Sequence, residues 1–189
     1  LMKLSIKNTA LLFVALFGTM NLVQAQSETD TATHLRNQEV QSFNRVQIHH
    51  DADVIFIKSD RNRVSLVGDS AYVFNFDIVE DGNTLGIYNY GNESDKLSMV
   101  VIEYKELESL TASGHGKFYL HNLKEDRLNL FNPEAEVIAT GYVKNIRVIS
   151  QEGKTDLRKL DYVEGITHVG TTAQLLNGNV ITASATAPK

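Results

Sequence analysis

A short internal repeat built only from β-type segments constrains the fold of this chain more than any other feature of its sequence. Four successive units align Leu110, Leu130, Val148 and His168. The units are LESLTASGHGKFYLHNLKED, RLNLFNPEAEVIATGYVKN, IRVISQEGKTDLRKLDYVEG and ITHVGTTAQLLNGNVITASA. Each contains two short strands separated by small, polar or glycine corners. A period of roughly 20 residues without an amphipathic helix predicts a β-solenoid of four weak repeats over about 107–185.

The residues that precede the repeat alternate between apolar and polar with a period of two. Val46, Ile48, Val54 and Phe56 share one parity, which indicates half-buried strands between positions 43 and 104. The turn signal Asp81-Gly82-Asn83 favours a tight hairpin. We therefore predict an all-β protein, in which a layer of partly antiparallel strands opens the solenoid. A β-sandwich is the alternative.

The segment 1–25 has the pattern of a secretory signal peptide. Two lysines precede an apolar run from Ala10 to Met20, and small or aliphatic residues precede a cleavage position after Ala25. The run is about half of the roughly 20 residues that span a bilayer, so we expect cleavage rather than a retained anchor. Residues 26–41 are polar and predict a flexible lead-in to a single domain over 42–185.

Charge and cysteine content exclude several kinds of partner and site. The net charge is −5 and no dense cluster of Lys or Arg occurs, which argues against nucleic acid. The chain has no cysteine, so it has no disulfide, no thiolate metal site and no lipid-accepting cysteine after the leader. We expect an exported protein of the periplasm, the cell surface or the medium, without a membrane span after cleavage.

The unit VVIEYKELESLTASGHGKFYL, together with SFNRVQIHHDADVIFIKSDRNRVSLVGD and Asp81-Gly82-Asn83-Thr84-Leu85-Gly86-Ile87, resembles a known bacterial family. This is the Bacteroidetes-type family of unknown function called "putative auto-transporter adhesin, head GIN domain". The resemblance covers roughly positions 40–180. It implies an exported right-handed parallel β-helix with repeated Ser-Gly-Ser-Gly corners. Here His115 stands in place of the second serine, and Tyr104 where proline is usual.

The stretch Ser113-Gly114-His115-Gly116 is the most site-like motif of the chain. A phosphate loop or a nucleophile elbow would need a helix after the glycines, whereas KFYL continues as a strand. We therefore interpret Ser113, Gly114 and Gly116 as a structural corner that needs unusual backbone angles. His115 is a candidate ligand-binding residue, because corner geometry alone does not account for it.

Histidines and carboxylates offer the only candidates for a metal. His49, His50 and Asp51 could supply ligands for zinc or a similar ion. Adjacent strand residues point to opposite faces, however, so we expect no metal site there and no cofactor. On the third unit, Asp156, Asp161 and Glu164 could bind calcium or serve as acid and base. Their spacing is looser than that of a calcium loop, and we expect a solvated acidic edge.

Tyr88 and Tyr90 alternate away from Ile87 in a polar aromatic segment, YNYGN, of the kind that contacts sugars. With His115 they form the set of candidate ligand-binding residues. We predict a non-catalytic, adhesin-like binding protein of the cell envelope, whose partner is a glycan or another surface component. The alternatives are a polysaccharide-active enzyme on a β-helix, or a purely structural envelope protein.

Overall fold

The computed structural model describes residues 33–69, 73–74, 76–89 and 97–180. The elements it defines there are all strands, which confirms the all-β prediction. Hydrogen bonds join them into one curled, open, mixed sheet, so the alternative of a sandwich with two sheets is wrong. No helix in this part of the chain is long and apolar enough to cross a membrane. The signal-peptide segment 1–25 lies outside the described residues.

Thirteen strands are defined in the described part of the chain. They are β1 (Thr33–Glu39), β2 (Arg45–His49), β3 (Val54–Lys58), β4 (Arg63–Asp69), β5 (Phe76–Asp81), β6 (Thr84–Asn89), β7 (Leu97–Tyr104), β8 (Ser109–Ser113), β9 (Lys117–Asn132), β10 (Glu136–Ser150), β11 (Lys154–Val169), β12 (Gln174–Leu176) and β13 (Asn179–Val180).

The N-terminal strands form a mixed layer. β1, β4 and β7 pair antiparallel, and β7 then pairs in parallel with β3. β5 and β6 form an antiparallel hairpin with a tight loop, Gly82-Asn83, in which Gly82 has φ +56°. This layer agrees with the prediction of partly antiparallel strands. The prediction of a flexible lead-in over 26–41 is wrong at positions 33–39, because β1 is paired along its whole length with β4.

From β8 onward the strands stack in parallel. β10 lies between β9 and β11, and its first residue, Glu136, pairs with Lys117 on one side and with Lys154 on the other. Leu110 pairs with Leu130 and Leu130 with Val148, as the alignment of the repeat predicts. His168 pairs with Ile149 instead of Val148, so the fourth aligned position is wrong by one place.

The strands of the stack are longer than the sequence predicts. β9, β10 and β11 run for 15 or 16 residues without a break, whereas the sequence predicts two short strands in each unit. They bend at irregular positions: Asn122 has φ +53°, Gly141 has φ +110°, and the pairing register shifts beside Gly141 on both sides of β10. A positive φ and an extra residue turn a strand without ending it.

The apolar core lies on the inward side of the curled sheet. Inward residues of successive segments lie in register, as in the row formed by Val54, Phe118, Val137 and Thr155. All four are fully buried. Each segment therefore covers the apolar side chains of the one before it, as the period-two pattern requires.

Two buried carboxylates lie where the mixed layer meets the stack. Glu125 of β9 lies 2.6 Å from the ammonium of Lys58 on β3, and burial raises the pKa of Glu125 despite this partner. Burial also opposes ionisation of Glu103 on β7, but hydrogen bonds from Arg61 and Arg63 outweigh it and lower the pKa of Glu103. Both acids join strands that are distant in sequence.

Candidate functional site

The corner between β8 and β9 lies directly against another corner of the chain. Gly114 has φ +109°, and a Cβ atom there would lie 2.1 Å from the carbonyl oxygen of His50. A Cβ atom at Gly116 would lie 2.3 Å from the carbonyl oxygen of Ala52. Both neighbours are backbone atoms, which cannot rotate away. Close stacking of two corners therefore requires glycine at both positions.

The ring of His115 projects from this corner into solvent, with 76% of its side chain exposed. Its Nδ1 lies 3.2 Å from Oδ1 of Asp51, which also accepts the backbone N–H of His115 at 2.7 Å. Its Nε2 lies 3.8 Å from Oε2 of Glu134, and Glu134 accepts the backbone N–H of Gly114. The imidazole thus lies between carboxylates from the corners above and below it.

The sequence analysis did not predict that Asp51 and Glu134 lie beside His115. Glu134 follows Gly114 by 20 residues, so the repeat period could have placed them side by side. Asp51 precedes His115 by 64 residues, because β4 to β7 intervene between two stacked segments. No period in the sequence marks that separation. We refer to Asp51, His115 and Glu134 as the corner cluster.

The two adjacent histidines of β2 and its corner face opposite ways, as the alternation of a strand requires. His50 is 6% exposed, its Nδ1 accepts the N–H of Ala52, and its ring meets the edge of Phe76. Burial lowers the pKa of His50 to about 4. His49 is exposed and stacks on Tyr88 at 5.3 Å. His49, His50 and Asp51 therefore do not converge on one point.

Metal-binding geometry is missing from the described ranges as a whole. No three or more His, Asp or Glu side chains among them are placed to hold an ion. The candidate acids of β11 also do not converge. Asp156 bonds to Arg158, which lowers the pKa of Asp156 to about 2, and Asp161 accepts a hydrogen bond from Asn179. Glu164 lies further along the strand and is exposed.

Tyr88 belongs to a small polar and aromatic group on the outer surface of β2 and β6. Its ring occupies the space above Gly86, where a Cβ atom would lie 2.4 Å from Cε2 of the tyrosine. Its hydroxyl donates to the side-chain oxygen of Gln47 at 3.3 Å, and its ring stacks on His49. Tyr90, the other candidate tyrosine, lies outside the described residues. Tyr88 is thus held in place by its neighbours on both strands.

Two parallel rows of outward side chains cross the strands beside this group. The arginine row contains Arg45, Ser109, Asn129 and Arg147. The phenylalanine row contains Gln47, Thr111, Phe131 and Ile149. Each row takes one residue from each of β2, β8, β9 and β10, and the inward residues between the rows are buried. Because neighbouring strands lie about 4.8 Å apart, each row is about 14 Å long.

The phenylalanine row continues onto β11, where His168 pairs with Ile149. An open depression lies at this end, lined by residues 149–152 and 168–172. Sequence reasoning did not identify either row, because the rows become visible only when the strand register is known. The period of the repeat does bring Asn129 and Arg147 to equivalent positions on β9 and β10.

Comparison with solved structures gives similar folds at low sequence identity. A protein of Bacteroides fragilis described as a "putative adhesin" has a TM-score of 0.58 and 13% identity, with 79% of this chain and 94% of that chain covered. A "putative adhesin" of Parabacteroides distasonis has a TM-score of 0.56 and 17% identity, with 79% and 69% covered. One of Parabacteroides merdae has 0.52 and 14%, with 77% and 82% covered. Likeness at this identity concerns the fold alone.

A comparison with curated proteins finds no match. A family model does match, over residues 42–185. This range includes the corner cluster, Tyr88 and both rows. Because the match covers more than half of the chain, it confirms the resemblance inferred from the sequence motifs. The chain belongs to the family described as "Putative auto-transporter adhesin, head GIN domain".

Proposed function

We propose that this chain is an exported, non-catalytic binding domain of the cell envelope, with an adhesin-like role. The observation that carries the proposal is the pair of outward rows, which present polar, aromatic and cationic side chains on successive hydrogen-bonded strands. A sheet that fixes the spacing of such groups is suited to an extended ligand with its own repeat. The description of the family as adhesins supports the same role.

The finer form of the fold is part of this proposal. The nearly constant parallel register from β8 through β9 and β10 to β11 supports a right-handed parallel β-helix over the domain 42–185. An experimental structure that traced each coil through a full right-handed turn would agree with it. A left-handed path, or coils that fail to close, would contradict it.

Export rests on the leader pattern of segment 1–25. We infer cleavage after Ala25, so that the mature chain begins at Gln26. Mass spectrometry of protein recovered from the envelope fraction tests this inference directly. A chain that keeps segment 1–25, or that is recovered only from the cytoplasm, contradicts it.

Binding is tested with purified residues 26–189 on a panel of polysaccharides and peptidoglycan fragments. We expect saturable binding to at least one class and no change in the chemical structure of the ligand. Variants Tyr88→Ala and His115→Ser separate two candidate positions, since one adjoins the rows and the other lies in the corner cluster. Cleavage of any glycan would contradict the non-catalytic role, and no binding across the panel would contradict the adhesin-like one.

A further inference from the structure

We propose that the arginine row and the phenylalanine row together bind an extended acidic polysaccharide that lies across the strands. This inference rests on the proposed binding function and names its ligand class and its site. It follows from three features of the rows: unpaired guanidinium groups, alternating polar and apolar character, and the distance between strands.

The guanidinium groups are free to take a ligand. Arg45 and Arg147 are exposed, and the guanidinium group of neither makes a hydrogen bond or ion pair within the described part of the chain. Arg127, on the same side of β9 as Asn129, is likewise exposed and unpaired there. Glu108, next to Ser109 in sequence, accepts a hydrogen bond from Asn44 instead.

Other arginines of the chain have acceptors. Arg61 and Arg63 bond to Glu103, and Arg158 bonds to Asp156. The arginines without acceptors among the described residues are therefore gathered at one surface of a chain whose net charge is −5. Guanidinium groups bind carboxylates and sulfates with two parallel hydrogen bonds, which gives both strength and orientation. An anionic ligand fits this surface, and a neutral one leaves the charges unused.

The phenylalanine row supplies the apolar contacts that a sugar ring requires besides hydrogen bonds. A pyranose ring has apolar C–H faces and a rim of hydroxyl groups. Phe131 and Ile149 are half-buried and offer apolar contact, while Ser109, Thr111 and Asn129 offer hydrogen-bonding groups at the same strands. Rings of an extended polysaccharide repeat at a distance similar to the spacing between strands, so one sugar can lie over each strand. About three strand spacings then separate the acid groups held by Arg45 and Arg147.

The test measures binding of the mature chain to polygalacturonate, with dextran as the neutral polysaccharide and polyglutamate as a carboxylate polymer without sugar rings. We expect polygalacturonate to bind most tightly, with an affinity that falls as salt is added. The double variant Arg45→Gln/Arg147→Gln should lose about tenfold or more in affinity, since each guanidinium makes a charge-assisted pair. The charge-matched control Lys105→Gln/Lys159→Gln, at exposed positions away from the rows, should bind within about twofold of the parent.

A third variant, Phe131→Ser, probes the apolar contact and should weaken binding to polygalacturonate more than to polyglutamate. Equal affinity for the two anionic polymers would overturn the sugar-specific site. Preferential binding to dextran, or equal losses in the arginine variant and the lysine control, would overturn the arginine row as the site while leaving a binding function intact. If the chain bound none of the three polymers but bound another ligand of the panel, an acidic polysaccharide would be ruled out as the ligand, while the proposed binding function would stand.

Discussion

At the scale of single residues, close backbone contact decides what the corners can contain. Gly114 and Gly82 both have positive φ, but only Gly114 faces another backbone: a Cβ atom at Gly82 would meet nothing within 4 Å. Substitution of these two glycines therefore distinguishes two contributions to the loss of stability. At Gly82 only the backbone angle is strained, whereas at Gly114 the new side chain also clashes with a neighbouring backbone.

We predict that Gly114→Ala lowers the free energy of unfolding by about 3 kcal/mol or more, since strain and a clash with the carbonyl of His50 add. Gly82→Ala should cost about 1 kcal/mol, from the backbone angle alone. Urea unfolding followed by circular dichroism measures both, since the chain has no tryptophan. Equal losses in the two variants would contradict the close approach of the corners.

His50 makes stability depend on pH. Burial lowers the pKa of His50 from 6.5 to about 4, so the folded state holds it neutral while the unfolded state takes up a proton near pH 6.5. The contribution of His50 is complete above pH 6.5 and is lost as pH falls toward 4. At about 1.36 kcal/mol for each pKa unit, the loss is about 3 kcal/mol.

Unfolding free energies of the parent and of His50→Gln, measured at pH 7 and at pH 4.5, test this dependence. The difference between the two proteins should shrink at the lower pH, because the variant has no imidazole to protonate. A difference that stays constant over this range would mean that His50 is not held neutral in the folded state.

The corner cluster shows how far single residues could be predicted. The glycines of Ser113-Gly114-His115-Gly116 indicate a sharp corner from sequence alone, since glycine alone reaches such angles without strain. The carboxylates beside His115 could not be predicted, because Asp51 comes from a segment 64 residues away. Residue type reveals a local backbone requirement, but a contact across stacked segments requires the register.

At the scale of elements, each corner of the stack is stabilised differently. The corner after β9, Pro133-Glu134-Ala135, has no glycine. Here the buried side chain of Asn132 donates from Nδ2 to the carbonyl oxygen of Ala135 and to the hydroxyl of Thr155, both at 3.0 Å. A side-chain amide thus holds the turn and also joins β9 to β11 across the end of β10.

Replacing Asn132 with alanine should cost about 2 kcal/mol, because buried acceptors lose their donor and a cavity remains. The matched control is Asn129→Ala, on the same strand but exposed, which should change stability by less than about 0.5 kcal/mol. Thermal unfolding of both variants measures the contrast. Similar shifts would mean that Asn132 does not hold the corner.

The strand register was predictable in part. Leu110, Leu130 and Val148 align because their aliphatic side chains share the inward side of successive segments. The alignment fails at His168 because it assumes a separation of 20 residues from Val148, whereas Val148 pairs with Thr167, one position earlier. The register also shifts between Ile138 and Thr140, and such an irregularity leaves no apolar signature, so counting along the sequence cannot fix the pairing to a single residue.

At the scale of the whole molecule, β1 covers an edge of the sheet. It pairs with β4 from Thr33↔Asp69 to Glu39↔Arg63, and β4 has β7 on its other side. A truncated chain that begins at Val40 lacks β1 and should expose the backbone edge of β4. We expect it to form oligomers as its concentration rises, because unpaired strand edges pair with other chains. Size-exclusion chromatography with light scattering, compared with residues 26–189, measures this. An unchanged mass distribution would mean that β4 needs no cover.

The pairing of β2 and β3 with β8 and β9 sets the order in which the molecule can form. β10 and β11 each add to a segment that ends a short way earlier in the chain, so their loops close at little entropic cost. β2 and β3 instead pair with β6 and β7 on one side and with β8 and β9, 64 residues downstream, on the other. Closing the longer of these loops is slow. A chain delivered N-terminus first therefore leaves Val54 and Phe56 without their neighbours on β9 until Leu120 has emerged, although β7 can already pair with them. We expect the folding rate to depend on this single closure far more than on the number of segments stacked after it.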